Sequence, residues 1–282
     1  MKDHRILRAC WPVVNVLLLV SIAAVLFSLG WEFSTRSYLK GFSDAIIPAS
    51  EGPEQKVEAI LQWMAHGPAR RDSPDPGALA ARNPEETLNI QSLLNVCGTA
   101  SNAFVNIAQV SGLRARRLLL LDEQGYSKHV VVEVLLDGRW IVVDPSHHFI
   151  FRLADGRPAT RAELKDPVVF RAATASIPDY PPSYTYESTV HVRLSRIPWF
   201  GKRLRGIFNS IWPSWEESIN WTLLVERESF AMLVASLLLL CFALAARLLL
   251  GWYCESKLGI ARTRFRDQVV RAGQAIAGTS HS

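Results

Sequence analysis

Two long apolar stretches, one near each end of the chain, constrain its fold more than any other feature. Residues 13–30 (VVNVLLLVSIAAVLFSLG) carry no charge, and residues 230–253 are apolar except for Arg247, with Trp252 and Tyr253 at their end. Each stretch is long enough to cross a bilayer as a helix. An arginine and aromatic rings at the end of such a run suit the headgroup region. We therefore expect two transmembrane helices here rather than two buried core helices.

The first stretch also has some features of a cleaved signal peptide. Ser28 and Gly30 are small residues at the spacing of a cleavage site before Trp31. However, the apolar run exceeds the roughly 7–15 residues of a signal peptide, and Trp31 followed by Glu32 is a poor cleavage context. We favour an uncleaved anchor.

Basic residues flank the two stretches on their outer sides, in a chain whose net charge is +5. Since cytoplasmic flanks are enriched in Lys and Arg, both termini are expected in the cytoplasm. These residues are Lys2, Arg5 and Arg8 before the first stretch, and Lys257, Arg262, Arg264, Arg266 and Arg271 after the second.

The expected protein is thus a two-pass integral membrane protein, of the bacterial inner-membrane type, with one domain outside the cytoplasm. Its parts are a cytoplasmic N-terminus (1–12), a first span (13–30), an extracytoplasmic domain (31–192), a basic and aromatic membrane-proximal segment (193–229), a second span (230–253) and a basic cytoplasmic tail (254–282). In the segment 193–229, residues Trp199, Phe200, Phe208, Trp212 and Trp215 alternate with Lys202, Arg203 and Arg205. Such a mixture can bind nucleic acid, but beside a membrane span it favours contact with membrane lipids, and we expect no nucleic-acid partner.

The extracytoplasmic domain contains a single cysteine, Cys97, because Cys10, Cys241 and Cys254 lie in or beside the spans. An exported thiol without a disulfide partner is either buried as a small apolar side chain or used chemically. Cys97 opens an apolar helical pattern over residues 97–110 that ends at Gly112. A cysteine at a helix N-terminus has a lowered thiol pKa, and the free N–H groups there can hold an oxyanion.

Three strand patterns follow this helix, over residues 115–121, 128–136 and 139–144. Asp137 and Gly138 form a two-residue turn signal, which predicts an antiparallel hairpin. His129 opens the second strand, with Val131 and Glu133 on its face, and Asp144 ends the third. Counting outward from the turn, we expect Asp144 near the level of Lys128 and His129, within reach of the imidazole. A nucleophilic thiol needs a base such as the His129 imidazole, and the imidazole needs a carboxylate such as that of Asp144 to fix its tautomer.

These residues resemble the transglutaminase-like superfamily of papain-like Cys-His-Asp enzymes, over residues 90–150. The resemblance lies in NVCGTASNAFVNIAQVSGLRARRLLLL and HVVVEVLLDGRWIVVDP, including the Gly112–Arg116 connector and Asp144-Pro145. It implies an α+β papain/transglutaminase-like core, with the nucleophile helix packed on an antiparallel sheet. It also implies that Cys97 is the nucleophile, His129 the general base and acid, and Asp144 the orienting carboxylate. The chain departs from the family pattern at one place that bears on the substrate. The family often has His-Ala-Trp where this chain has His129-Val130-Val131, so the cleft wall beside the histidine is less aromatic.

Three further groups of residues are weaker candidates. Gln91 or Asn95 would donate to an oxyanion, although Asn95 is as well suited to helix capping. Val131, Trp140 and His147 are candidates for lining the substrate cleft, and the pair His147-His148 is also typical of a solvated loop. The sequence contains neither a CxxC pair nor an HExxH motif, so we expect no metal. It also contains no glycine-rich phosphate loop, so we expect no cofactor.

The resemblance implies acyl transfer from an amide through a thioester, as a peptidase, amidase or transamidase, on a peptide or protein substrate such as a cell-envelope protein. Two alternatives remain. One is a non-catalytic scaffold or binding module of the same fold in an envelope complex, although a scaffold needs none of the three catalytic side chains. The other is an arylamine N-acetyltransferase-like enzyme, which uses the same three residue types. The sequence leaves the oligomeric state open.

Overall fold

The two apolar stretches form the two longest helices in a computed structural model, which describes residues 2–48, 51–68, 70–72, 77–193, 201–218 and 220–258. Helix α1 runs over Lys2–Ile46 and helix α11 over Glu228–Leu258. Both are long and apolar enough to cross a membrane, and only 17% and 11% of their most apolar windows are buried. Such exposure is unlike that of a core helix. The first helix continues past residue 30 without a break.

The chain divides into two compact units, Met1–Ser28 with Leu233–Ser282, and Leu29–Met232. In the first unit, Arg247 donates to Asn15 Oδ1 and lies over the Trp11 ring. The second unit contains the Cys97 helix and all the described strands.

Short helices of the second unit precede the helix that carries Cys97. They are α2 (Pro53–His66), α3 (Gly77–Ala80), α4 (Pro84–Asn89) and α5 (Gln91–Leu94), and the Cys97 helix itself is α6 (Cys97–Val110). Proline opens α2 and α4, and Asn83 caps α4 by accepting from the Glu85 amide at 3.0 Å. The apolar residues of α6 are almost all buried. The helix predicted over 97–110 is therefore confirmed.

An antiparallel five-stranded sheet follows, in the order β4-β3-β2-β1-β5. Its strands are β1 (Arg114–Leu121), β2 (Ser127–Leu136), β3 (Arg139–Asp144), β4 (Phe149–Ile150) and β5 (Thr189–Val190). Asp137 and Gly138 join β2 to β3 with φ angles of 47° and 80°, as a tight hairpin with two positive φ values requires. The predicted hairpin and the α+β class are confirmed.

Each face of the sheet has its own core, because successive side chains of a strand point to opposite faces. Val132, Val134 and Leu136 pack with α2 and α6. Val131 packs on the other face with an aromatic group that we call the aromatic core: Phe151, Phe170, Tyr180 and Tyr186. A 3-10 helix (Glu163–Lys165) and α7 (Pro167–Thr174) accompany this second core.

Glu133 lies on the same strand as His129 but joins a separate buried network. Its Oε2 accepts from Arg116 Nε at 2.8 Å and from His191 Nε2 at 2.8 Å, and Arg161 Nε lies 3.6 Å from its Oε1. Burial raises the pKa of this carboxyl, but His191, Arg116 and Arg161 outweigh burial and the net pKa is lowered. Arg116 also donates to the Glu217 carbonyl at 3.1 Å, so the network fastens the end of the unit to the sheet.

Three helices end the second unit, namely α8 (Gly201–Ile211), α9 (Trp215–Ser218) and α10 (Trp221–Glu226). Trp215 is 1% exposed and packs with Val192, Phe208 and Trp221. The expectation that Trp215 lies at the membrane surface is therefore wrong, because its ring fills a core. Trp199, Phe200 and the tail beyond residue 258 lie outside the described residues.

Candidate active site

The fold places Cys97 at the open N-terminal end of α6. The preceding residue, Val96, is extended (φ −98°, ψ 124°), and it caps the helix with no side-chain hydrogen bond. The first-turn N–H groups of a helix lack intrahelical acceptors, so they point toward the region of the thiol. Cys97 itself is half-buried.

His129 comes to Cys97 from strand β2. The imidazole of His129 and the backbone amide of Val130 both lie close enough to the Cys97 thiol to lower its pKa. Ser101, one turn along α6, donates its hydroxyl to the Val130 carbonyl at 3.1 Å. This bond ties the helix to the strand and fixes the distance between the two functional groups.

Asp144 reaches the other side of the imidazole from strand β3. Its Oδ2 accepts from His129 Nε2 at 2.7 Å, which leaves Nδ1 for the thiol. The strand register differs from the expectation: Val132 pairs with Val143, so Asp144 is level with Val131 rather than with Lys128 or His129. The contact forms because diagonal neighbours on one face of a sheet are within reach of a long side chain.

The Asp144 carboxylate is fully buried, and both of its oxygens accept several hydrogen bonds. Oδ1 accepts from the Ser146 amide at 3.1 Å, the Ser146 hydroxyl at 2.8 Å and the His147 amide at 3.2 Å. Oδ2 accepts from His147 Nδ1 at 3.1 Å and the Tyr180 hydroxyl at 3.0 Å, in addition to His129. A buried charge is stable only when it is satisfied in this way.

This geometry shifts all three pKa values in the direction of an ion pair. Burial raises the pKa of the Cys97 thiol, but His129 and the Val130 amide outweigh burial and the net pKa is lowered. Burial lowers the pKa of His129, but Asp144 and Cys97 raise it to about 9. Burial raises the pKa of Asp144, but His129 and His147 hold it well below its usual range. All three shifts favour a thiolate beside an imidazolium over the neutral thiol and imidazole.

A family comparison matches the part of the chain that holds these three residues. The model of the transglutaminase-like superfamily matches residues 40–145. Residues 40–145 are a transglutaminase-like superfamily domain. That superfamily usually contains cysteine-dependent enzymes. Neither a curated protein nor a solved structure matches the chain.

Two tyrosines beyond the end of the transglutaminase-like domain complete the site. The Tyr184 ring stacks on His129, with centroids 4.1 Å apart and planes at 4°, and Tyr180 donates to Asp144 as described. Lys128 Nζ donates to the Thr185 hydroxyl at 2.9 Å and holds this segment against β2. From the sequence, no role was predicted for this proline-rich segment, residues 178–186. The aromatic spacing in PDYPPSYTY was the available signal.

The remaining candidates from the sequence lie in different places. Gln91 Nε2 donates to Asn95 Oδ1 at 3.1 Å, and Gln91 Oε1 accepts from Arg70 at 3.1 Å, so both amides already have partners. Asn95 is the C-terminal cap residue of α5.

Of the three cleft candidates, only His147 lies at the site, where it is bonded to Asp144. Val131 is fully buried in the aromatic core. Trp140 pairs with Leu135 near the hairpin, under the Arg116 guanidinium at 3.9 Å. Neither residue lines an open cleft at Cys97. The alternation of side chains along β2 turns Val131 into the aromatic core, and the pairing of β3 with β2 places Trp140 near the hairpin.

His129, Asp144 and His147 also have the chemistry of metal ligands, and their ligand atoms lie within 4.8 Å of one another. Two of those atoms donate hydrogen bonds to the third, so a cation would have to displace both protons. The expectation of a metal-free site stays a prediction.

Replacing Tyr180 with phenylalanine should destabilise the second unit by about 2 kcal/mol, because a hydrogen bond to a charged group is lost inside the protein. Burial and the Asp144 charge raise the pKa of Tyr180, so its hydroxyl remains a donor at any working pH. Thermal unfolding of the full chain in detergent measures the effect. The matched control is Tyr186→Phe, since the buried Tyr186 hydroxyl has no hydrogen-bond partner among the described residues. Equal losses in the two variants would contradict the assigned bond.

Proposed function

We propose that the protein is a membrane-anchored cysteine enzyme that acts on amide bonds through Cys97, His129 and Asp144. The observation that carries the proposal is the buried His129–Asp144 pair, bonded at 2.7 Å, beside a half-buried cysteine at a helix N-terminus. A scaffold of the same fold would gain nothing from a buried, charged and fully hydrogen-bonded carboxylate at this place.

The first half-reaction forms a thioester. The Cys97 thiolate attacks the amide carbonyl carbon, and the first-turn N–H groups of α6 stabilise the oxyanion. The tetrahedral intermediate collapses with cleavage of the C–N bond, and the His129 imidazolium gives its proton to the departing amine. The acyl group is then bonded to sulfur, and His129 is neutral.

The second half-reaction regenerates the ion pair. Neutral His129 takes a proton from water or from an incoming amine, which attacks the thioester carbonyl. Collapse expels the Cys97 thiolate, and His129 is again an imidazolium beside Asp144. Water gives a peptidase or amidase, and an amine gives a transamidase cross-link. The access of water to the thioester determines the outcome.

Thiol reactivity tests the proposal without a known substrate. At about pH 7, iodoacetamide should label Cys97 in the full chain about tenfold faster than in His129→Ala, because an ordinary thiol is only a few per cent thiolate at that pH. Peptide mass mapping distinguishes Cys97 from the other three cysteines. The matched control is His66→Ala, since His66 is exposed. Labelling that is slow and independent of His129 would favour the non-catalytic alternative.

We also propose that both termini are cytoplasmic and that the domain acts outside the cytoplasm, in a bacterial inner-membrane arrangement. The support is the basic flanks together with the two candidate spans Cys10–Ile46 and Glu228–Lys257. A reporter active only outside the cytoplasm should work when inserted near Gly156, which lies in a turn with φ 84°. A cytoplasm-dependent reporter should work after Ser282. The reverse pattern would refute this topology.

A further inference from the structure

Helix α8 has one face that is used within the second unit. Arg205 on this face pairs with Glu216. The Phe208 ring lies 5.1 Å from that of Trp215, whose indole N–H donates to Asn209 Oδ1 at 2.8 Å. These contacts fix the rotation of α8 about its axis, because three of its side chains contact Trp215 or Glu216 of α9.

The opposite face of α8 is exposed and apolar. Arg203, Ile207 and Ile211 are four residues apart and so form one stripe along the helix. Ile207 is 51% exposed and Ile211 is 77% exposed, and Trp212 directly after the helix is 46% exposed. Single exposed apolar residues are ordinary, but two exposed isoleucines on one side of a helix, followed directly by an exposed tryptophan, indicate a contact surface.

The charges of the segment indicate which surface it contacts. Residues 201–212 contain Lys202, Arg203 and Arg205 and no acidic residue. Arg205 pairs with Glu216, and Arg203 is exposed beside the apolar stripe. Cations that flank exposed isoleucine and tryptophan fit an anionic bilayer surface, where indole rings favour the headgroup region. The candidate span Glu228–Lys257 also begins shortly after this helix in the sequence.

We propose that α8 lies in the headgroup region of an anionic leaflet, with Ile207, Ile211 and Trp212 inserted among the lipids. Phe208 and Trp215 then hold α8 to the unit rather than to the membrane. The unit that carries Cys97 is thereby held at the bilayer surface by a contact separate from the spans. This arrangement does not require that Cys97 be catalytic.

Lipid quenching in the full chain tests the proposal. Cys10, Cys97, Cys241 and Cys254 are replaced with serine, and single cysteines are introduced by Ile207→Cys or Ile211→Cys. Each is labelled with an environment-sensitive fluorophore and placed in nanodiscs of anionic lipid with doxyl-labelled chains. The labels at 207 and 211 should be quenched by at least about twofold and shifted to the blue, as expected for burial at the acyl boundary.

Two control positions separate insertion from general proximity. Asn209→Cys lies on the side of α8 that faces Trp215, and Val168→Cys lies at an exposed position on α7. Quenching at 207 and 211 no greater than at 209 and 168 would overturn the proposal. A blue shift that depends on the number of chains per nanodisc, without quenching by doxyl lipid, would also overturn it, since this result indicates contact between copies. In anionic nanodiscs, Arg203→Glu should weaken the quenching at 211, and an unchanged value would remove the role of charge.

Discussion

Replacing Cys97 with alanine should abolish acyl transfer, with a loss of at least about 10,000-fold in turnover, because without its sulfur no thioester can form. The helix N-terminus, His129 and Asp144 remain in this variant, so the residual rate reports what binding and the N–H groups do alone. Peptide amides serve as the acyl donors. A fluorescent primary amine as the acceptor distinguishes cross-linking from hydrolysis, and intact-protein mass spectrometry detects the acyl-enzyme.

The control for this prediction is Cys241→Ala, which removes an exposed thiol from the other unit of the chain. Cys241→Ala should keep the native rate and the native adduct mass. If Cys97→Ala transferred acyl groups at the native rate, the nucleophile would be another group. If native protein and Cys97→Ala were equally inactive on every amide tested, while Cys97 still alkylated quickly, the substrate class rather than the nucleophile would be wrong.

The local elements of the site were predictable from the sequence because short-range patterns determine them. The apolar periodicity of residues 97–110 predicted α6 with Cys97 at its start. The Asp137-Gly138 turn joined two β-branched strands, and strand alternation then placed His129 and Asp144 on one face. The register was misjudged by two residues, yet the side chains still meet because diagonal neighbours on one face are within reach.

The rest of the site depends on contacts distant in sequence, which no local pattern encodes. Tyr180 and Tyr184 reach Asp144 and His129 from a proline-rich segment without regular structure. Strands β4 and β5 have two residues each, too few for a recognisable alternation. Trp215 looked like a membrane-surface residue because its neighbours are basic and aromatic. Its burial follows from packing against Val192, Phe208 and Trp221, which composition does not specify.

Replacing Asp144 with asparagine should lower turnover by about 100- to 10,000-fold, because the charge that keeps His129 protonated is lost. The asparagine has nearly the same shape, but its NH2 group would face donors that now bond to a carboxylate oxygen. The pKa of His129 should then fall from about 9, since burial lowers this pKa and the Asp144 charge no longer raises it. The pKa of the Cys97 thiol should rise in turn.

The pH dependence separates this electrostatic loss from a general loss of structure. In the native protein, turnover requires the imidazolium as acid and should decrease as the pH rises through about 9. Alkylation of Cys97 requires only the thiolate and should not decrease there. In Asp144→Asn the alkaline decrease of turnover should move to lower pH, and alkylation at about pH 7 should slow by about tenfold. Asp155→Asn is the matched control, because Asp155 is an exposed carboxylate that pairs with Arg157 on the surface. An alkaline limit that stays near 9 in a folded Asp144→Asn, as judged by its thermal unfolding, would mean that another group keeps His129 charged.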